Sequence, residues 1–163
     1  MWVHRRAMPN DAKSLALRWL SQRSLSVREV QERLERHGFD DDETERVVQS
    51  LRDLKLVDDS QLAEQVARQS LSRREGPMRI RARLLQRGID PALGREVMAG
   101  MLDQVDWRQI AEPLAKRYHI DSKKGRDRFI RHLAREGFPA AVIHELAFSG
   151  DRGAGAEDDY LDN

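Results

Sequence analysis

The sequence predicts an all-α protein made of three tandem three-helix repeats, about nine helices in an elongated or curved array. Three segments of the 163-residue chain share one pattern and end at Gly38, Gly88 and Gly137. These glycines are 50 and 49 positions apart (88 − 38 and 137 − 88), a period typical of tandem supersecondary units. Charged residues make up 35% of the chain and aromatic residues 6%, which favours helices over strands. We therefore expect no sheet.

The shared pattern is two apolar residues four positions apart, then a glycine, then another apolar residue. In the middle copy these residues are Ile80, Leu84, Gly88 and Ile89. The spacing places the first two side chains on one side of a helix. It also puts the leucine at C3 and the glycine at C′ of a Schellman cap, which the next apolar residue closes. The outer copies use Val30, Leu34 and Phe39, and Phe129, Leu133 and Phe138.

The repeats divide the chain into five segments. We predict a flexible arm at 1–9, three-helix repeats at 10–57, 58–104 and 105–150, and a disordered tail at 151–163. Each repeat consists of a helix A, a helix B that ends at the repeated glycine, and a helix C. One arginine against five acidic residues gives the tail a formal charge of −4 and little apolar surface to pack.

In repeat 1, helix A is predicted to begin after Asn10 or Asp11 and to run to about Arg23. Ser26 and Glu29 have the spacing of a capping box at the start of helix B. Acidic residues at 40–43 favour the start of helix C, because the helix dipole stabilises negative charge there. The core side chains predicted for helices A and C are Leu15, Ala16, Trp19, Leu20, Val47, Val48, Leu51 and Leu54.

Repeats 2 and 3 carry similar start signals. Asp58 and Asp106 are predicted N-caps of helix A, and Pro77 and Pro91 suit the first position of helices B and C in repeat 2. Pro113 interrupts helix A of repeat 3, where an interior proline costs on the order of 3 kcal/mol. We therefore expect a kink or a late start in that helix.

Composition and motifs exclude several classes of site. Without cysteine, the chain has no disulfide, zinc ribbon or thiol nucleophile, which fits a cytoplasmic protein. We expect no secretory signal, because the first residues contain no apolar h-region, and no apolar window is long enough to predict a membrane span. The five histidines are scattered, and no HExxH, GxSxG or Walker sequence is present. We expect no enzyme activity, metal or cofactor.

Basic residues are concentrated in two stretches of repeats 2 and 3. Arg79 and Arg83 are one turn apart on a predicted helix, where like charges are slightly destabilising. Repeat 1 has Glu29 in the column occupied by Arg79 and Arg128, so the fold is expected to tolerate either sign there.

The candidate partner-binding residues are Arg73, Arg74, Arg79, Arg81, Arg83, Arg87, Lys123, Lys124, Arg126, Arg128 and Arg131. Guanidinium groups suit phosphate and carboxylate alike, so nucleic acid and an acidic protein surface both remain open. A simple solvated face, with Arg87 as a helix C-terminal charge, is the alternative.

Three stretches resemble the regulatory protein RecX family: GPMRIRARLLQRGID from Gly76, VDD at 57–59, and VDWRQIAEPLAKRYH from Val105. The resemblance covers roughly residues 11–150. It implies tandem three-helix repeats and a protein that binds the RecA recombinase filament, in its groove or at a growing end. Such a protein restrains strand exchange, ATP hydrolysis and coprotease action, without catalytic residues. The positions that match the family's GPxRI stretch are Gly76, Pro77, Arg79 and Ile80.

Three functions are therefore considered. The first is a monomeric, non-enzymatic negative regulator of RecA in repair, recombination and the SOS response, with possible direct DNA contact and no membrane partner. The second is a sequence-nonspecific DNA-binding module, and the third is a passive helical scaffold. For the first, we expect reversal of Arg79, Arg83 and Arg128 to glutamate to abolish inhibition while leaving the melting temperature almost unchanged.

Overall fold

The computed structural model describes residues 11–148, so the predicted arm and acidic tail lie outside the described residues. Within that range the chain forms nine helices and no strand. The helices are α1 Ala12–Leu20, α2 Val27–Arg36, α3 Asp41–Asp53, α4 Asp59–Ser72, α5 Pro77–Gln86, α6 Pro91–Leu102, α7 Trp107–Tyr118, α8 Lys123–Arg135 and α9 Ala140–Phe148. Their number and order are consistent with three successive three-helix repeats, and the predicted all-α fold class is confirmed.

The repeated glycines end helices α2, α5 and α8 as Schellman caps. Gly38, Gly88 and Gly137 have φ angles of +84°, +72° and +80°, the left-handed region that favours glycine. The N–H of the following apolar residue donates to the carbonyl of the predicted leucine over 3.2, 3.0 and 3.1 Å. Each glycine N–H also bonds the carbonyl one residue after that leucine, over 2.9, 2.9 and 3.1 Å. The predicted cap is therefore confirmed three times.

Two further helices end in the same way without a glycine. Lys55 and Arg74 adopt φ angles of +54° and +57° after α3 and α4. The N–H of the residue that follows each of them closes the cap, from Leu56 to the carbonyl of Leu51 over 2.9 Å and from Glu75 to that of Ser70 over 3.0 Å. Because an L-residue in this region costs about 1 kcal/mol or more, sequence patterns do not predict such caps.

The cap at Lys55 also corrects one predicted core residue. Leu54 is 55% exposed, because α3 ends at Asp53 and the chain turns away directly after it. Val57, which was not predicted, is buried in its place. The other seven predicted core side chains of repeat 1 are buried or pack against the core.

Side-chain caps fix most helix starts as predicted. The Ser26–Glu29 capping box is complete, and Asp40, Asp58 and Asp106 each accept from the N–H three residues on, over 2.7–3.0 Å. Helix α1 begins after Asp11 but ends at Leu20, earlier than predicted. The Ser21 hydroxyl donates to the carbonyl of Arg18 over 2.8 Å and helps to close the helix there.

Two of the prolines begin helices, and a third lies inside one. Pro77 and Pro91 begin α5 and α6, as predicted. Pro113 lies inside α7, which begins at Trp107 because Asp106 caps it, so a late start was the wrong expectation. The helix accommodates the proline as an interior residue.

The described chain packs as two compact units, which cut across α4 and α5. The first unit contains residues 11–67 and 82–101, and the second contains residues 68–81 and 102–148. Trp19 packs against a buried cluster in the first unit. Trp107 does so in the second, edge-on to Phe138 at 6.4 Å. Trp19 is therefore a packing residue, as predicted, and so is Trp107. The repeat boundaries remain a prediction.

Candidate partner-binding surface

The eleven candidate basic residues fall into two groups by exposure. Four are partly buried: Arg79, Arg83, Arg87 and Arg126. The other seven, called here the exposed basic set, are Arg73, Arg74, Arg81, Lys123, Lys124, Arg128 and Arg131. Every member of the exposed basic set belongs to the second compact unit. Within the described chain, none of the seven forms an ion pair.

Arg79 is held by the fold. Its Nε lies 3.6 Å from Glu75 Oε1 and 3.5 Å from Glu136 Oε2. Its Nη1 donates to the carbonyl of Arg135 over 3.0 Å, at the C-terminal end of α8. The side chain of Glu75 is only 5% exposed, so Arg79 offsets a buried charge. Arg79 therefore has a structural role in addition to the partner-binding role that was predicted for it, which stays a prediction.

Arg87 has an equivalent structural role in the first unit. Its Nε and Nη2 donate to the two carboxylate oxygens of Glu29 over 2.9 and 3.1 Å, and Nη2 also donates to the carbonyl of Ser24 over 2.8 Å. Burial alone would raise the pKa of Glu29. The hydrogen bonds from Arg87 and from the Ser26 N–H outweigh it and hold the pKa below its usual value.

These two ion pairs occupy the same places in the repeat with opposite signs. Glu29 and Arg79 both lie nine positions before their repeated glycine, and Arg87 and Glu136 both lie one position before theirs. In each pair, the first turn of one helix B contacts the glycine end of the next helix B. The column therefore tolerates either sign only because its partner carries the opposite one.

Three other candidates in repeats 2 and 3 differ in their surroundings. Arg126 Nε donates to the carbonyl of Ile120 over 3.3 Å, and its guanidinium lies 5.2 Å from the Phe148 ring centroid. Arg128 lies 6.0 Å from the Tyr118 ring centroid and remains exposed. Arg74 has a backbone role that the sequence did not reveal, since it occupies the left-handed position of the α4 cap.

The described residues give no sign of a metal centre or a membrane span. No group of three or more histidine or acidic side chains among residues 11–148 is arranged to hold a metal ion. Across the same range, none of the helices combines the length and apolarity that a bilayer crossing requires.

Two family descriptions match successive parts of the chain. Residues 12–51 match "RecX, first three-helix domain", and residues 58–98 match "RecX, second three-helix domain". A regulatory protein RecX from Chromohalobacter salexigens is 37% identical over 145 residues, covering 86% of this chain and 92% of that protein. This chain belongs to the regulatory protein RecX family. The resemblance noted in the sequence is thereby confirmed.

Other RecX proteins agree with this assignment. A regulatory protein RecX from Syntrophotalea carbinolica is 33% identical over 150 residues, covering 87% of this chain and 97% of that protein. The crystal structure of RecX from Lactobacillus salivarius superposes with a TM-score of 0.74 at 24% identity, over 86% of this chain and 95% of that one. The structural likeness shows that the fold is shared.

Proposed function

We propose that this RecX-family protein is a non-enzymatic negative regulator of the RecA recombinase in the cytoplasm. It binds RecA nucleoprotein filaments, in the groove or at the growing end, and so inhibits strand exchange, ATP hydrolysis and coprotease action. Family membership is the observation that carries the proposal. Repair, recombination and the SOS response are the processes it would restrain.

The exposed basic set supplies the chemistry for this contact. Its seven cations lie in one compact unit and form no ion pair with other described residues, so their charge is available to an acidic surface. Guanidinium forks bind carboxylates of a protein and phosphates of filament DNA with the same geometry. Arg79 and Arg87 are assigned to stability instead, because both are committed to carboxylates of the fold.

The direct test is RecA-dependent strand exchange with the protein titrated in. We expect inhibition at stoichiometric amounts, and its loss in the double variant Arg128→Glu and Arg131→Glu, which are both exposed. The matched control is Arg46→Glu with Arg95→Glu, which makes the same charge change on exposed positions of the first unit. Full strand exchange in the presence of excess wild-type protein would refute the proposal.

A DNA-binding module is the second candidate, favoured by the first turn of α8. That turn contains Lys123 and Lys124 and no acidic residue, at a helix end whose dipole also attracts anions. If this candidate is right, the chain binds naked DNA without RecA, and the affinity falls steeply with salt as counterions are released. Binding only to the assembled filament would exclude it.

A further inference from the structure

The three helix ends at the repeated glycines differ in what covers them. Gly137 is buried, and a side chain there would collide with the backbone nitrogen of Arg79. Gly88 is partly buried, and a Cβ atom there would lie 2.9 Å from the side chain of Arg28. Gly38 is exposed, and no atom of the described chain comes within 4 Å of a Cβ atom placed there. One of three equivalent surfaces is therefore open.

The covered copies show what kind of element this surface receives. In both cases it is the first turn of the preceding helix B, since Arg28 is the second residue of α2 and Arg79 the third of α5. At the Gly137 end, the Gly76 N–H donates to the carbonyl of Glu136 over 2.7 Å, and the Met78 N–H to that of Gly137 over 3.1 Å. A helix start thus supplies its free N–H donors to a helix end that has free carbonyls.

At the open end, as at the Gly88 end, no backbone N–H of the described residues donates to the last two carbonyls, which here are those of His37 and Gly38. The corresponding carbonyls of Glu136 and Gly137 do receive such bonds. Within residues 11–148, no helix B precedes α2, and no helix start covers the Gly38 end.

Charge indicates which helix start fits the open end. The residue before the glycine pairs with the opposite charge in both covered copies, as Arg87 does with Glu29 and Glu136 with Arg79. At the open end this residue is His37, preceded by Arg36, and both are exposed. By the same complementarity, the incoming helix start carries a carboxylate.

A second copy of the chain does not meet these requirements. Among the described residues, the helix-B start that is not already packed on a glycine end is that of α8, where Arg128 occupies the column of Glu29 and has the wrong charge. Helix α8 also begins one turn earlier, so that Gly125 lies inside it and packs against the carbonyls of Tyr118 and His119. At Gly125, the end of α7 therefore takes the place that the Gly137 end takes at Gly76.

We infer that the open glycine end of α2, formed by Arg36, His37 and Gly38, is a docking site for the acidic first turn of a helix on the partner protein. The inference rests on the proposed function, since it takes the partner to be the RecA filament. It adds a contact in the first compact unit, separate from the exposed basic set in the second.

The test measures binding of the full chain to RecA filaments assembled on single-stranded DNA. The double variant Arg36→Glu with His37→Glu should weaken binding by about tenfold or more, because it opposes the partner's carboxylate with like charge. His37→Arg, which reproduces the Arg87 arrangement, should bind at least as well as wild type. The matched control is Arg95→Glu with Gln104→Glu, an equal formal charge change at two exposed positions, and it should bind normally.

The outcomes separate this inference from the proposed function. If wild type fails to bind the filament, both fall. If wild type and the Arg36→Glu, His37→Glu variant bind equally, or if the control loses as much, only the docking site falls. Two other occupants would also overturn it. One is residues 151–163, if their deletion strengthens binding in wild type but not in the double variant. The other is a second copy, if sedimentation shows a dimer that the variant abolishes.

Discussion

Reversing the charge of Arg79 tests whether this arginine contributes more to stability than an exposed arginine does. In the wild type, Arg79 Nε lies 3.6 and 3.5 Å from carboxylate oxygens of Glu75 and Glu136. Arg79→Glu removes the hydrogen bond to the Arg135 carbonyl and places a third carboxylate beside these two. Losing a hydrogen bond from a charged group costs about 1.5–3 kcal/mol, and the like charges add to this. We expect a total loss of about 3 kcal/mol. Arg128→Glu, at the equivalent exposed position, should change stability by only about 0.5 kcal/mol or less.

The measurement is urea unfolding followed by far-UV circular dichroism. With an m-value of about 2 kcal/mol/M, the loss predicted for Arg79→Glu lowers the midpoint by about 1.5 M. Arg128→Glu provides the control, because it has the same charge change in the same repeat column. Equal midpoints for the two variants would show that the Arg79 contacts contribute little, and that the original expectation of an unchanged melting temperature was right.

Three further predictions follow from buried groups. Leu84→Ala should destabilise the protein by about 2–5 kcal/mol, because Leu84 is buried beneath the α5 cap; a neutral result in urea unfolding would contradict the packing. Thr44→Val should stabilise it by about 1 kcal/mol, since the buried Thr44 hydroxyl has no hydrogen-bond partner among the described residues, and a lower midpoint would oppose this. Glu29→Gln should flatten the loss of stability in acid. The lowered pKa of Glu29 makes its contribution fully present above about pH 4.5 and lost as the pH falls further, so unfolding midpoints at neutral and acidic pH decide it.

The helix ends at glycine could be predicted because their cause is local. The pattern is a glycine, which tolerates the left-handed region, with a leucine four positions before it and an apolar residue after it. All of this lies within six residues of sequence. The same is true of Asp and Ser N-caps, which act over three residues. The ends at Lys55 and Arg74 use the same hydrogen bonds, but with a side chain that is normally disfavoured there. Tertiary packing must outweigh that local cost, and packing is not visible in the pattern.

The roles of the arginines could be predicted only in part. The excess of positive charge in repeats 2 and 3 was plain from the sequence, and seven of the eleven candidates are exposed. The burial of Arg79 and Arg87 depended on carboxylates 57 and 58 positions away, at Glu136 and Glu29 (136 − 79 and 87 − 29). Glu75 is the one partner of Arg79 that lies nearby in the sequence, and the distant carboxylates could not be inferred from charge density alone.

The column of Glu29, Arg79 and Arg128 shows how a repeat can hide this information. Compared only with one another, the three residues suggest a position indifferent to charge, because both signs occur there. Compared with the residue before the next glycine, they form two complementary pairs, Glu29 with Arg87 and Arg79 with Glu136. The third member has no following helix B among the described residues, and it is the one that remains exposed. In a tandem array, the last repeat has no following repeat to pair with the charged side chain in this column. That charge can therefore bind another molecule.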